Sequence, residues 1–223
     1  MTTHRGIQKI VTHRNLRQTV YQRVRGIVLS NDVQAGAKIN EEMIAGQLGV
    51  SKTPVREALS KLAHDGVVRI IPNRGAFKLA LSGKEIEEIM LIREVLEGLC
   101  VRLAAKNVTA ASIRKLKALL DDFEKEASYT DFSTYARTHQ KFHQVIYNLS
   151  RSPRLRHLIE SMYELSDLLR TRYFSKPERV AQSLQGHREL IAALEREDGT
   201  GAEEIRKTMV RNAARYLTKE AEK

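Results

Sequence analysis

The 223-residue chain is 42% hydrophobic and 29% charged, lacks tryptophan and has one cysteine, Cys100, a composition that suits a globular, helix-rich protein. A single cysteine excludes an intramolecular disulfide and fits a reducing compartment, and no apolar run reaches the length of a membrane span, so a cytoplasmic protein with no membrane partner is expected. The net charge of +11 is uneven: residues 1–80 hold thirteen Lys and Arg against five Asp and Glu, and residues 81–223 hold 25 against 22, which predicts a basic first module facing a polyanion and a nearly balanced second one.

Residues 1–15, MTTHRGIQKIVTHRN, are basic without an apolar core and read as an N-terminal arm. From there Leu16, Val20, Val24, Ile27 and Val28 recur at helical spacing, followed by a turn at Ala35-Gly36. In INEEMIAGQLGVSKTPVREAL, Asn40 is a good N-cap, Glu41 and Glu42 suit the first turn of a helix, and Gly49 suits its C-terminal end. Ser51 is then expected to cap a second helix whose first turn tolerates Pro54. Two helices joined by so tight a turn form a helix-turn-helix candidate.

On the second helix, Val55, Ala58, Leu59 and Leu62 share one face, while Lys52, Thr53, Arg56 and Ser60 gather on the other. A recognition helix needs this division: an apolar back fixed to its domain and a donor-rich front free to enter a major groove. The next stretch, VVRIIPNRGAFKLAL, predicts strands over 67–71 and 76–80 around a basic turn, a hairpin that would set Arg74 near a phosphate or a minor groove. A helix-turn-helix followed by such a hairpin is a winged helix.

Residues 16–81 resemble the DNA-binding domain of the GntR family of bacterial transcription regulators, most specifically through VSKTPVREAL. The resemblance implies that Ser51, Lys52, Thr53 and Arg56 contact an operator, with Arg74 and Gly75 at the wing tip. Ala35 stands where the family usually has proline before Gly36, which implies a less rigid turn.

Beyond residue 81 the pattern is helical. SGKE, residues 82–85, is a capping box, and helices are expected over about 83–106, 110–127, 132–149, 153–174, 178–196 and 202–221, with Thr109, Asp131 and Ser152 as N-caps. Polar groups interrupt several apolar faces. Arg93, with Glu97 one turn on, falls among Ile86, Ile89, Met90, Leu96 and Cys100; His139 and His143 align with Tyr135, Phe142 and Ile146; His187 aligns with Leu184, Ile191 and Leu194; Asn212 aligns with Ile205, Met209 and Tyr216. Each alone suits a hydrogen-bonded core residue or a structural ion pair. Together they imply a polar pocket inside a bundle, and two His at i,i+4 with a third can hold Zn²⁺ or Ni²⁺.

LIREVLEGLCVRLAAKNVT, FHQVIYNLSRSPRL and GHRELIAALEREDG resemble segments of the all-helical FCD effector domain of the FadR subfamily. Many members bind a metal through an Asp and three His, with a small carboxylate effector seated on it and held by an arginine. By that resemblance His143 and His187 take two His positions, Arg93 the arginine position and His139 the Asp position, and the last His position falls on Asn212 or on Met209. Both a divalent ion on the three His and a metal-free pocket using the same residues stay open. The expected protein is mainly α: an arm (1–15), a winged helix-turn-helix with a small β-hairpin (16–81), and a helical bundle for effector binding and dimerisation (82–223). Its expected function is sequence-specific transcription regulation, as a homodimeric repressor on a palindromic operator controlled by a small organic acid. A metal-dependent enzyme with a DNA-binding appendage is the alternative, and no paired carboxylate or activated nucleophile near HQKFH supports it.

Overall fold

A computed structural model describes residues 13–30, 32–127, 132–162, 165, 167–169, 173–174 and 176–221, with side chains omitted at 13–15, 126–127 and 132–137. Asp131 as an N-cap and Tyr135 as an inner-face residue therefore lie outside the described residues, as does the arm up to residue 12. The chain divides between Leu79 and Ala80 into two compact units.

The first unit comprises α1 (His13–Leu29), α2 (Glu41–Leu48), α3 (Lys52–His64), β1 (Val68–Ile71) and β2 (Gly75–Lys78). Val20, Val24 and Val28 are buried on α1, but Leu16 is 45% exposed and Tyr21 and Leu29 take up the rest of the inner face. Asn40 Oδ1 accepts from the Met43 amide at 3.0 Å, and α2 ends at Gly49 in the left-handed region, φ 64°, where the missing Cβ removes the steric cost. Ser51 occupies the N-cap position of α3, yet its side chain makes no cap hydrogen bond. The reason lies in the sequence: the amide that an N-cap hydroxyl would take from the third helical position is absent at Pro54.

β1 and β2 pair antiparallel with Val68 opposite Lys78 and Ile71 opposite Gly75. The second strand stops at Lys78, short of the expected Ala80. The turn between them is closed by the Arg74 amide donating to Ile71 O at 3.0 Å, with Asn73 at φ 59° and Gly75 at φ 102°. Asn and Gly are the residues that accept positive φ most readily. A third rung was not legible: the Ile39 amide donates to Ala76 O at 2.8 Å and the Lys78 amide to Ala37 O at 2.9 Å. Lys78 is itself buried, and its ammonium donates to Ser30 O at 2.8 Å and Val33 O at 2.9 Å, tying the wing to the segment after α1. Burial lowers its pKa and the Asp32 charge opposes that shift.

The second unit is helical: α4 (Gly83–Ala105), α5 (Ala110–Ala127), α6 (Phe132–Leu149), α7 (Pro153–Ser161), α8 (Pro177–Glu195) and α9 (Gly199–Ala221). The capping box at Ser82 is complete, with Glu85 reaching back to the Ser82 amide at 2.9 Å. Thr109 Oγ1 accepts from the Ser112 amide at 3.1 Å, while Ser152 sits at the start of α7 without a side-chain cap bond. The helix expected over 153–174 ends at Ser161. α9 starts at Gly199, not 202, because Asp198 caps it: its Oδ1 accepts from the Gly201 amide at 2.8 Å.

α4 and α9 pack extensively, and α5 packs on α6 and α8. Their shared core includes Phe123, Phe142, Ile146, Leu190 and Leu194. On α9 the buried side chains are Ala202, Arg206, Val210 and Leu217. The face expected inward, Ile205, Met209, Asn212 and Tyr216, is half-buried.

Candidate functional site

Two sites emerge, one in each unit. In the first, Val55, Ala58, Leu59 and Leu62 bury the back of α3, and Ser51, Lys52, Thr53, Arg56 and Ser60 are all exposed. Lys52 Nζ lies 3.0 Å from Glu42 Oε1, and Arg56 Nε donates to Glu41 Oε2 at 2.6 Å. Arg74 is exposed in the hairpin turn, its guanidinium 5.9 Å from the centre of the Phe77 ring. A Cβ on Gly75 would meet Lys38 Cε at 3.3 Å. The unit thus presents cations and hydroxyls at the end of an exposed helix face and a further cation on a hairpin. Cations and hydroxyls are the donor types that phosphate and base-edge contacts use.

In the second unit α6 and α8 bring His139, His143 and His187 together, all buried. The Nε2 atoms of His139 and His143 are 3.3 Å apart, and those of His143 and His187 are 3.2 Å apart. His187 Nδ1 lies 2.6 Å from Ser183 O; a carbonyl only accepts, so Nδ1 carries the hydrogen and Nε2 of the neutral ring offers a lone pair towards the cluster. Burial, and secondarily the Arg206 charge, push the His187 pKa down to about 3, against the Ser183 hydrogen bond, which keeps the ring neutral at physiological pH. A tetrahedral ion bound by nitrogens at about 2.1 Å sets them about 3.4 Å apart, so the two measured separations suit a shared cation. Phe123, Phe142 and Phe174 wall the cluster with ring centroids 4.7–5.9 Å from the imidazoles.

Next to this cluster lies an ion triad. Arg93 Nε donates to Glu97 Oε1 at 2.9 Å and Arg206 Nε to Glu97 Oε2 at 2.9 Å. Side-chain exposure is 11% for Arg93, 3% for Glu97 and 5% for Arg206. Burial alone would raise the Glu97 pKa; the charges and hydrogen bonds of Arg206 and Arg93 outweigh it and hold it at about 2. Two guanidiniums on one carboxylate leave a net positive charge. Both arginines and His139 line a cavity of about 540 Å³ whose walls also include Gln182, Asn212 and the carboxylates of Glu189 and Glu204.

Of the expected pocket residues, Arg93, His139 and Asn212 reach the cavity, while His143 and His187 enter through the imidazole cluster. Met209 lines it too and packs so closely on α8 that a Cβ on Gly186 would lie 2.9 Å from its Cγ. Sequence reasoning missed Arg206. Its signal was the i+4 series Ala202, Arg206, Val210, masked because a basic residue on an amphipathic helix normally marks the solvent face.

Residues 16–77 match the bacterial regulatory proteins of the gntR family, and residues 88–212 match the FCD domain. The chain belongs to the GntR family, with an FCD domain. McbR of Escherichia coli, an HTH-type transcriptional regulator, is 30% identical over 172 residues, 76% of this chain and 77% of McbR. RspR of Escherichia coli, an HTH-type transcriptional repressor, is 24% identical over 83% of this chain and 82% of its own length. Among solved structures, E. coli McbR/YncC superposes with a TM-score of 0.78 at 24% identity, covering 92% of this chain and 98% of that one. A putative GntR regulator from Rhodococcus sp. RHA1 gives 0.74 at 22% identity, covering 92% and 98%. This GntR-family chain is therefore a DNA-binding transcription regulator with a winged-helix first unit and a helical FCD unit. Its relatives are regulators, and none of those compared is described as an enzyme. No helix among the described residues is long and apolar enough to cross a membrane.

Proposed function

We propose that this regulator is a cytoplasmic homodimeric repressor that leaves a palindromic operator when a small organic acid enters the helical cavity. The observation that carries the reading is the cavity itself, which has room for a small molecule and is lined by the buried guanidiniums of Arg93 and Arg206, while its lining carboxylates, Glu189 and Glu204, are exposed. An anion entering it meets guanidinium donors at low dielectric, where charge-assisted hydrogen bonds are strong. His139, His143 and His187 would hold a divalent ion such as Zn²⁺ or Ni²⁺. When bound, that ion would supply a Lewis-acidic anchor for a carboxylate. A single N–H on His143 Nε2 serves one of its two neighbouring nitrogens at a time, whereas a shared cation satisfies all three. Asn212 and Met209 contribute to the wall, the first with an amide and the second with a thioether.

Ser51, Lys52, Thr53 and Arg56 read the operator from α3, and Arg74 and Gly75 touch its backbone from the wing. The homodimer is supported by an apolar stripe on α4, where Leu91, Ile92 and Val95 are 61%, 49% and 56% exposed; a two-fold axis would cover it and set two recognition helices in successive major grooves. Repression is supported by the description of RspR. An acid can release DNA only by binding the two conformations with different affinity, and the coupling is reciprocal.

The test is a panel of small carboxylates screened by thermal shift, then by release of bound DNA. An acid that stabilises the wild-type protein should also weaken its hold on DNA, with ligand at 100 times its Kd adding about 2.7 kcal/mol to the FCD unit. His143→Ala should lose both responses while binding DNA normally without ligand. An acid that releases DNA equally well from His143→Ala contradicts the pocket assignment.

A further inference from the structure

The exposed ion pairs of the first unit differ in kind. Lys52 and Glu42 are 47% and 79% exposed, a pair of flexible side chains. Arg56 and Glu41 are 67% and 23% exposed, a mobile cation on a largely covered carboxylate. Glu41 is the first residue of α2, directly after the Asn40 cap. There the helix N-terminus favours its charge and the helical backbone fixes its position. The contact uses only Arg56 Nε, at 2.6 Å from Oε2. The Nη1/Nη2 edge has no partner among the described residues.

A guanidinium is planar, so fixing Nε fixes the direction of the opposite fork. That fork matches the O6 and N7 acceptors of guanine, which only a well-oriented Arg takes with both hydrogen bonds. A loose Arg on an exposed helix would settle on any nearby phosphate. We propose that Glu41 is a positioning residue for base reading: it grips Arg56 Nε and turns the Nη1/Nη2 fork outward, towards guanine. The proposal rests on Arg56 belonging to the DNA face. Its carboxylate also repels phosphate, so the same residue weakens non-specific binding. Both effects raise the specificity ratio, one by favouring the right contact and the other by disfavouring the wrong one.

The two roles separate experimentally. Full-length wild type, Glu41→Ala, Glu41→Gln and Arg56→Ala would each select from a pool of duplexes with a randomised core, followed by sequencing of the retained fraction. Affinity for a single mixed-sequence duplex would be measured alongside. In wild type one position of the enriched sequence should favour guanine by about tenfold or more. Arg56→Ala and Glu41→Ala should flatten that same position to below about threefold. Glu41→Gln, isosteric and still offering an oxygen to Nε, should fall between. Glu41→Ala should meanwhile bind the mixed-sequence duplex several-fold more tightly, because a like charge near the phosphates is gone. A Glu41→Ala protein that keeps the guanine preference erased by Arg56→Ala overturns the positioning role. An Arg56→Ala protein that keeps every preference overturns instead the assignment of Arg56 to base reading. A variant that merely unfolded α2 would lose mixed-sequence binding too, the opposite of the gain expected for Glu41→Ala.

Discussion

Glu97→Ala should be the most damaging single substitution in the FCD unit. It would strip the carboxylate from between Arg93 and Arg206, whose side chains are 11% and 5% exposed, and leave two largely buried guanidiniums facing each other. Breaking a buried pair from one side costs about 3–5 kcal/mol. A whole domain is stable by only about 5–15 kcal/mol, so most of the margin goes. Denaturant unfolding followed by circular dichroism would show a much lower midpoint for the helical transition.

The pH dependence has a definite sign. Glu97 sits at about 2 against an ordinary 4.5, a depressed folded-state value, so its contribution is complete above about pH 4.5 and is lost as pH falls towards 2. The stability gap between wild type and Glu97→Gln should be constant from pH 7 to pH 5 and should close in acid. A gap unchanged down to pH 2.5 would show that the carboxylate is not the titrating partner.

Arg56→Ala should have the largest effect on function. The side chain is 67% exposed and its one described contact is with Glu41, so its loss should leave folding intact and the circular dichroism spectrum unchanged. One Arg fork on guanine is worth about 1–3 kcal/mol of discrimination, and a dimer uses two. Operator affinity should therefore fall by roughly 30-fold to 10⁴-fold by the same figures, while mixed-sequence binding, which loses one cation, falls by much less. Fluorescence anisotropy with both duplexes separates the two quantities. Unchanged operator affinity would show that α3 reads DNA through other side chains.

The winged helix was legible because its punctuation is local. Asn40, Gly49 and Pro54 each act within one turn, and the two strand-forming runs on either side of Pro72-Asn73 mark a hairpin without reference to anything distant. What was missed there depends on long-range partners: the rung formed by residues 37–39 and the burial of Lys78, whose ammonium finds carbonyls at Ser30 and Val33. Leu16 fits the helical period but lies one turn before the buried part of the helix begins.

In the helical unit the imidazoles were legible because an inward histidine breaks an apolar face visibly. Arg206 was not, since its inward direction depends on how α9 packs against α4, where its partner Glu97 lies more than a hundred residues earlier. Asp198 hid the start of α9 for a related reason. Gly199 and Gly201 argue against a helix by propensity, and only the cap bond from Asp198 reverses that.

The most direct test of the whole account is to sequence genomic fragments retained by the purified protein at near-physiological salt. Recovery of one or a few palindromic sites, surviving moderate added salt, is the result expected of an operator-specific regulator. Scattered recovery that disappears with modest added salt would mean that counterion release supplies nearly all the binding, and would contradict sequence reading by α3.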